Sequence, residues 1–125
     1  MKKIKFQLCL TILAVLLVAG CSKSNSGASV ALPPDQIPKS VSKAFDQSSE
    51  GTKQLADKYI SDCQNQDVAT AFTSLQKLSH KGDLTPEQRK VVVRSMLTTM
   101  KQLNAAAKNG DKAAQDTLHQ YLSTR

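Results

Sequence analysis

The strongest constraint on the fold is a helix start in the second half of the chain. Thr85 is a good N-cap residue, Pro86 suits the first helical position, and Gln88 completes a capping box with Thr85. The helix that follows is predicted to run to about Lys108 and to end at Asn109-Gly110. Its apolar residues recur at helical spacing on one predicted face, namely Val92, Val93, Met96, Met100, Leu103 and Ala107.

The segments on either side of this helix show the same helical periodicity and no strand pattern. Asp67 and Asp111 are predicted N-caps of two further helices, the first ending at Gly82 and the second extending through Leu122. An earlier helix is best supported from about Thr52 to Gln64. The residues predicted to face inward from the last helix are Ala114, Leu118, Tyr121 and Leu122.

These patterns predict an all-α fold of three to four antiparallel helices. Helices joined by short turns must pack against their neighbours, either as a small bundle or as a helical-hairpin array. The predicted core is modest and contains few aromatic residues. Such a small domain is expected to be only marginally stable alone, and self-association would be a natural remedy.

The N-terminus has the parts of a secretory signal peptide. Lys2, Lys3 and Lys5 precede an apolar run from Phe6 to Ala19. At about 14 residues, this run is too short for a transmembrane helix, which needs roughly 20. It ends in Leu16-Leu17-Val18-Ala19-Gly20-Cys21. That sequence resembles the lipobox of bacterial lipoproteins, in which an aliphatic residue and two small residues precede a cysteine.

The resemblance implies cleavage between Gly20 and Cys21 and a diacylglycerol thioether on Cys21. Two or more acyl chains give a stable membrane anchor, which a single chain does not. No cofactor is expected beyond this covalent lipid. Ser22 rather than Asp follows the cysteine; in enterobacterial lipoproteins this pattern implies sorting to the outer membrane, which is therefore favoured if the host is Gram-negative. The alternative is an ordinary cleaved signal peptide that happens to precede a cysteine.

The anchor divides the chain into a signal peptide (1–20), a lipid-anchored flexible tether (21–40) and a small helical domain (41–125). Pro33, Pro34 and Pro38 among many serines predict that the tether forms no packed element. Removal of three lysines with the signal peptide leaves 14 Lys and Arg against 10 Asp and Glu. Because this charge is only mildly basic and lacks interleaved aromatic residues, no nucleic-acid partner is expected.

Three side chains of the mature chain could serve as a nucleophile or metal ligand. Cys63 shares a predicted face with Leu55 and Tyr59, which favours a buried thiol; an intermolecular disulfide or a reactive or metal-binding role are the alternatives. His80 is explained by the C-terminal dipole of its helix and His119 by exposure to solvent. Since metal-ligand spacing and catalytic motifs are missing, no metal site, catalytic residue or enzymatic activity is expected.

The central helix also carries a row of basic residues, Lys90, Arg94, Lys101 and Lys108, roughly opposite its predicted apolar face. At 100° per residue these four lie within about 40° of each other. From Gln88 to Lys108 the sequence contains no acidic residue. A solvated helix face is the plainest interpretation. The functional hypothesis is a binding stripe for anionic head groups, wall polymer or an acidic protein surface.

The sequence therefore predicts a membrane-anchored envelope lipoprotein that acts as a non-enzymatic interaction or structural module, on the non-cytoplasmic side of the membrane. The alternative is an inhibitor or immunity-type protein that binds and blocks an enzyme of the envelope. The expected partners are the membrane, reached through the N-terminal lipid, and an envelope protein or anionic surface. A homo-oligomer is a further alternative.

Overall fold

The computed structural model describes residues 29–125, and all regular secondary structure within them is helical. A short 3-10 helix, Pro34–Gln36, precedes five α-helices. These are α1 (Ile37–Phe45), α2 (Glu50–Gln64), α3 (Val68–Ser79), α4 (Pro86–Lys108) and α5 (Lys112–Ser123). The predicted all-α fold is confirmed, with one helix more than the upper end of the expected number.

Each helix packs mainly on its neighbours in the sequence. α3 lies between α2 and α4, and α1 contacts both α2 and α4. α5 packs mainly on α4 and also contacts α3. The first core cluster joins α1 to α2, α3 and the start of α4 through buried residues that include Phe45, Tyr59, Leu75 and Leu78. A second, smaller cluster forms where α5 meets α3 and α4.

The second cluster is centred on Phe72 and Leu103, both fully buried. The ring of Phe72 meets the ring of Tyr121 edge to face, with centroids 5.2 Å apart and planes at 89°. This geometry is favourable for two aromatic quadrupoles and holds α5 against α3. Half-buried Met96 packs against both clusters and so links them across α4.

The helix starts follow from side-chain caps. The Thr85 hydroxyl accepts from the Gln88 backbone N–H at 3.1 Å, and the Gln88 side chain accepts from the Thr85 N–H at 2.9 Å, which is the predicted capping box. The Gln88 amide also donates to the Ala44 carbonyl oxygen at 3.0 Å. The cap of α4 therefore also fixes the end of α1. Asp67 and Asp111 cap α3 and α5 as predicted.

The predicted tether extends too far, because its last part, residues 32–40, belongs to the folded domain. Leu32 is only 4% exposed, and α1 begins at Ile37 rather than at Val41. Pro38 lies in the first turn of α1, where the missing N–H would have had no helical partner. Prolines therefore begin this helix instead of preventing it.

Two residues predicted to face the core are exposed. Val93 is 46% and Leu122 is 66% exposed. The buried side of α4 is centred on Ser95 and lies about 160° around the helix from Val93 at 100° per residue. On α5, Leu122 lies about 80° from buried Ala114, too far around to reach α3 or α4.

Candidate functional site

Three of the four predicted stripe residues lie on the solvent side of α4. Lys90, Lys101 and Lys108 are exposed, and none of them pairs with a carboxylate within residues 29–125. The 21 residues from Gln88 to Lys108 contain no acid, and the single acid of α4 is Glu87 in its first turn. This side of α4 therefore carries an excess of positive charge.

The fourth member, Arg94, has a different role. Its side chain is half-buried, and its Nε donates to the Val30 carbonyl oxygen at 2.7 Å. The guanidinium thus holds the chain that enters the domain. This contact joins residues 64 positions apart. Arg94 therefore has an internal structural role instead of the predicted role in binding a partner.

Residues 30–32, here called the strap, run along α4 next to Arg94. The Leu32 N–H donates to the Arg94 carbonyl oxygen at 3.2 Å, and the Thr98 hydroxyl donates to the Leu32 carbonyl oxygen. The Leu32 side chain enters the first core cluster. Backbone pairing and apolar burial together attach the strap to the middle of α4.

Exposed apolar side chains lie beside the basic row. Of the large hydrophobic residues in the described part of the chain, four are exposed, and these are Val30, Val93, Leu97 and Leu122. Val93 and Leu97 share an arc of about 80° with the lysines, counted at 100° per residue. We call Lys90, Val93, Leu97, Lys101 and Lys108 the α4 face. Val30, on the strap, is bonded to this helix through Arg94.

The opposite, buried side of α4 is unexpectedly polar. Ser95, Thr98 and Thr99 are all buried there. The hydroxyls of Thr99 and Tyr59 are 2.7 Å apart and share a hydrogen bond between α4 and α2. Among residues 29–125, the buried Ser95 hydroxyl oxygen has no hydrogen-bond partner. Burial raises the pKa of Tyr59 well above its ordinary value, against a smaller opposite effect of the Thr99 hydrogen bond.

Cys63 lies near this polar contact and is half-buried rather than fully buried. It borders an open pocket of about 240 Å³ between the end of α2, α3 and α4. Burial raises the pKa of the Cys63 thiol, and the neighbouring Asp62 charge adds to the effect, while the Tyr59 hydroxyl opposes it. The thiol is therefore protonated at neutral pH, the less nucleophilic form. The pocket lining contains no histidine.

The two histidines are far from forming a metal site. His80 Nδ1 is 2.7 Å from the Gln76 carbonyl oxygen at the end of α3, and His119 is exposed on α5. Within residues 29–125, no three His, Cys, Asp or Glu side chains cluster closely enough to hold a metal ion. In the same range, no helix combines the length and the apolar character that crossing a membrane requires.

The predicted lipidation and cleavage residues, Cys21 and Gly20, lie outside the described residues. The chain matches no protein-family model, no curated protein and no solved structure. Its functional assignment therefore has to rest on its own residues.

The sequence indicated the lysines of the α4 face but not the strap. Val30-Ala31-Leu32 is a short apolar stretch inside a polar segment, directly before Pro33-Pro34. An apolar triplet in such a segment is a signal for docking, and it could have located the strap. Which surface receives the strap could not be derived, because the contact joins parts of the chain far apart in sequence.

Proposed function

We propose that this chain is a membrane-anchored envelope lipoprotein that acts as a non-enzymatic interaction or structural module. The N-terminal sequence Leu16–Cys21 supports the anchor. The observation that carries the interaction role is the α4 face, where exposed Val93 and Leu97 accompany three lysines on a helix whose single acid is Glu87. Such a surface attracts anionic partners and offers them apolar contact.

The energetics favour a surface that works together with an anchor. Each lysine near an anionic membrane contributes about 1 kcal/mol, and salt screens this contribution. Three lysines and two partly exposed aliphatic residues give only weak binding on their own. A lipid on Cys21 would hold the domain where this weak attraction is sufficient.

The first experiment tests the anchor. We expect mass spectrometry of the purified chain to find Cys21 as the N-terminal residue with its diacylglycerol thioether. The variant Cys21→Ala should leave the membrane fraction. An unmodified Cys21 in the mature chain would contradict the lipoprotein assignment and favour an ordinary cleaved signal peptide.

The second experiment tests the interaction role by affinity isolation from cross-linked envelopes, read by mass spectrometry. The test variant is Lys90→Glu/Lys101→Glu, and the matched control is Lys43→Glu/Lys77→Glu, which makes the same charge change at exposed sites on α1 and α3. Arg94 is left intact because it holds the strap. We expect the test variant, and not the control, to lose its cross-linked partners.

The outcome also separates the proposed role from the alternative one. One dominant soluble enzyme, captured in a one-to-one complex, would favour an inhibitor or immunity-type protein. Lipid, wall polymer or envelope proteins that are lost only from the test variant would support an interaction module. Equal recovery with the test and control variants would contradict a role for the α4 face.

A further inference from the structure

The strap determines where the anchored end of the chain meets the folded domain. Val30 is the outermost residue held by α4, through Arg94, and it is 70% exposed. Leu32 is fixed by its backbone and its buried side chain. The polypeptide that connects Cys21 to the domain therefore arrives on α4, beside the α4 face.

This connection is short. Residues 22–29 separate Cys21 from Val30, and nine residue steps span at most about 32 Å even when fully extended. α4 itself, with 23 residues, is about 34 Å long. A domain joined at Val30 cannot move away from its anchor by more than about its own helix length. The α4 face is thus kept at high local concentration near the point of attachment.

We infer that the α4 face lies against the anionic phospholipid head groups of the membrane that holds the lipid of Cys21. This inference rests on the proposed lipoprotein function. Lys90 and Lys101 contact lipid phosphates, while Val93 and Leu97 insert between head groups. Exposed Val30 is carried to the same interface by the strap. The domain therefore has a fixed orientation on the membrane instead of rotating freely above it.

Charge and chain length favour a lipid surface over a second copy of the chain. A symmetric dimer through the α4 face would place lysines of both copies near one another, and the single acid of this helix, Glu87 in its first turn, cannot compensate for three lysines in each copy. An anionic bilayer is complementary to the lysines and accepts aliphatic side chains at its interface. It is also the one partner that a short anchored connection always keeps within reach.

The sequence contains no tryptophan, so a single introduced one reports on its own position. We would reconstitute the lipidated full-length mature protein into phosphatidylcholine vesicles containing phosphatidylglycerol and a brominated lipid. One variant is Leu97→Trp. Its matched control is Ser61→Trp, at an exposed position about 200° around α2 from Tyr59, which faces α4.

We expect bromine to quench Leu97→Trp fluorescence at least about twofold more than that of Ser61→Trp, with a blue-shifted emission. Equal quenching of the two variants in lipidated, vesicle-bound protein would overturn the orientation while leaving the anchor intact. A mature chain without lipid on Cys21 would overturn the proposed function and this inference together. Mass spectrometry of the same sample distinguishes these two failures.

A second comparison tests the charge complementarity. In pure phosphatidylcholine vesicles, we expect most of the additional quenching of Leu97→Trp to be lost. Adding Lys90→Glu/Lys101→Glu should cause a similar loss in anionic vesicles, whereas adding Lys43→Glu/Lys77→Glu should not. Dimerisation of the lipid-free Cys21→Ala protein through Leu97, detected as self-association that Leu97→Glu abolishes, would overturn the membrane as occupant of this face.

Discussion

At the scale of single residues, the hydrogen bond between Tyr59 and Thr99 is the clearest polar contact in the core. Both side chains are fully buried, and their hydroxyl oxygens are 2.7 Å apart. Tyr59→Phe removes one partner and leaves the Thr99 hydroxyl unsatisfied. We expect a loss of about 1–3 kcal/mol in the free energy of unfolding, measured by urea denaturation.

Tyr121→Phe is the matched control for this substitution. The Tyr121 hydroxyl lies at the surface and bonds the exposed Arg125 side chain. Its removal should change the free energy of unfolding by no more than about 0.5 kcal/mol. Equal effects of the two substitutions would show that the buried hydroxyl pair does not stabilise the fold.

The same tyrosine gives the folded state a dependence on alkaline pH. Burial raises the pKa of Tyr59 above its ordinary value of 10.0. A raised pKa means that the folded state holds the proton more tightly, so its contribution to stability is complete below about pH 10 and is lost as pH rises further. Burial also raises the pKa of Cys63 above 9.0, which acts in the same direction from about pH 9.

We therefore expect the stability advantage of the wild type over Tyr59→Phe to shrink between about pH 8 and pH 11, because phenylalanine cannot ionise. Urea denaturation across this range measures the difference. The Tyr121→Phe variant retains Tyr59 and should decline in parallel with the wild type. A constant difference between wild type and Tyr59→Phe would contradict the raised pKa.

At the scale of elements, the strap is an integral part of the domain. Leu32 is 4% exposed, whereas Val30, two residues earlier, is 70% exposed. Leu32→Ala should lower the free energy of unfolding by about 2–3 kcal/mol. This is the lower part of the range for buried leucines, because Leu32 lies at the edge of the core, where neighbouring side chains can partly fill the space. Val30→Ala should change it by no more than about 0.5 kcal/mol. Urea denaturation of both variants measures these free energies of unfolding. An unchanged free energy for Leu32→Ala would mean that Leu32 does not stabilise the domain and belongs to the tether.

The helices that the sequence predicted well are those with complete local signals. Thr85, Asp67 and Asp111 each cap the helix expected from them, because a cap depends on residues three positions apart. The start of α1, residues 37–40, was assigned to the tether because of the prolines, whereas Pro38 occupies a first-turn position that tolerates proline. Local chemistry thus determined helix starts, and tertiary burial of Ile37 decided whether α1 formed.

The candidate site was only half predictable for a related reason. Helical spacing placed Lys90, Lys101 and Lys108 together, and all are exposed. The same periodicity assigned Val93 to the core, since it could not reveal that α4 buries Ser95 and Thr99 on its inner side. The bond between Arg94 and Val30 depends on how the N-terminal segment returns to α4, which no local pattern contains.

At the scale of the whole molecule, the proposed function depends on the distance between the lipid expected on Cys21 and the α4 face. Docking of the strap leaves residues 22–29 as the connection, in place of the predicted stretch up to residue 40. A shorter connection confines the domain to a smaller volume above the membrane. In the proposed arrangement, the strap therefore strengthens a weak surface attraction by shortening the connection to the anchor.

A lengthened connection tests this relation directly. Inserting about twelve Gly and Ser residues between Ser24 and Asn25 would raise the linker from eight to about twenty residues and lower the effective concentration of the α4 face about fourfold. The test uses vesicles whose anionic lipid content leaves the α4 face bound to the membrane in about half of the molecules. In these vesicles, the lower effective concentration should reduce bromine quenching of Leu97→Trp. The same insert placed after Arg125 should leave the quenching unchanged, and neither insert should alter the urea midpoint. Quenching that does not depend on linker length would mean that the α4 face binds the membrane without help from its anchor.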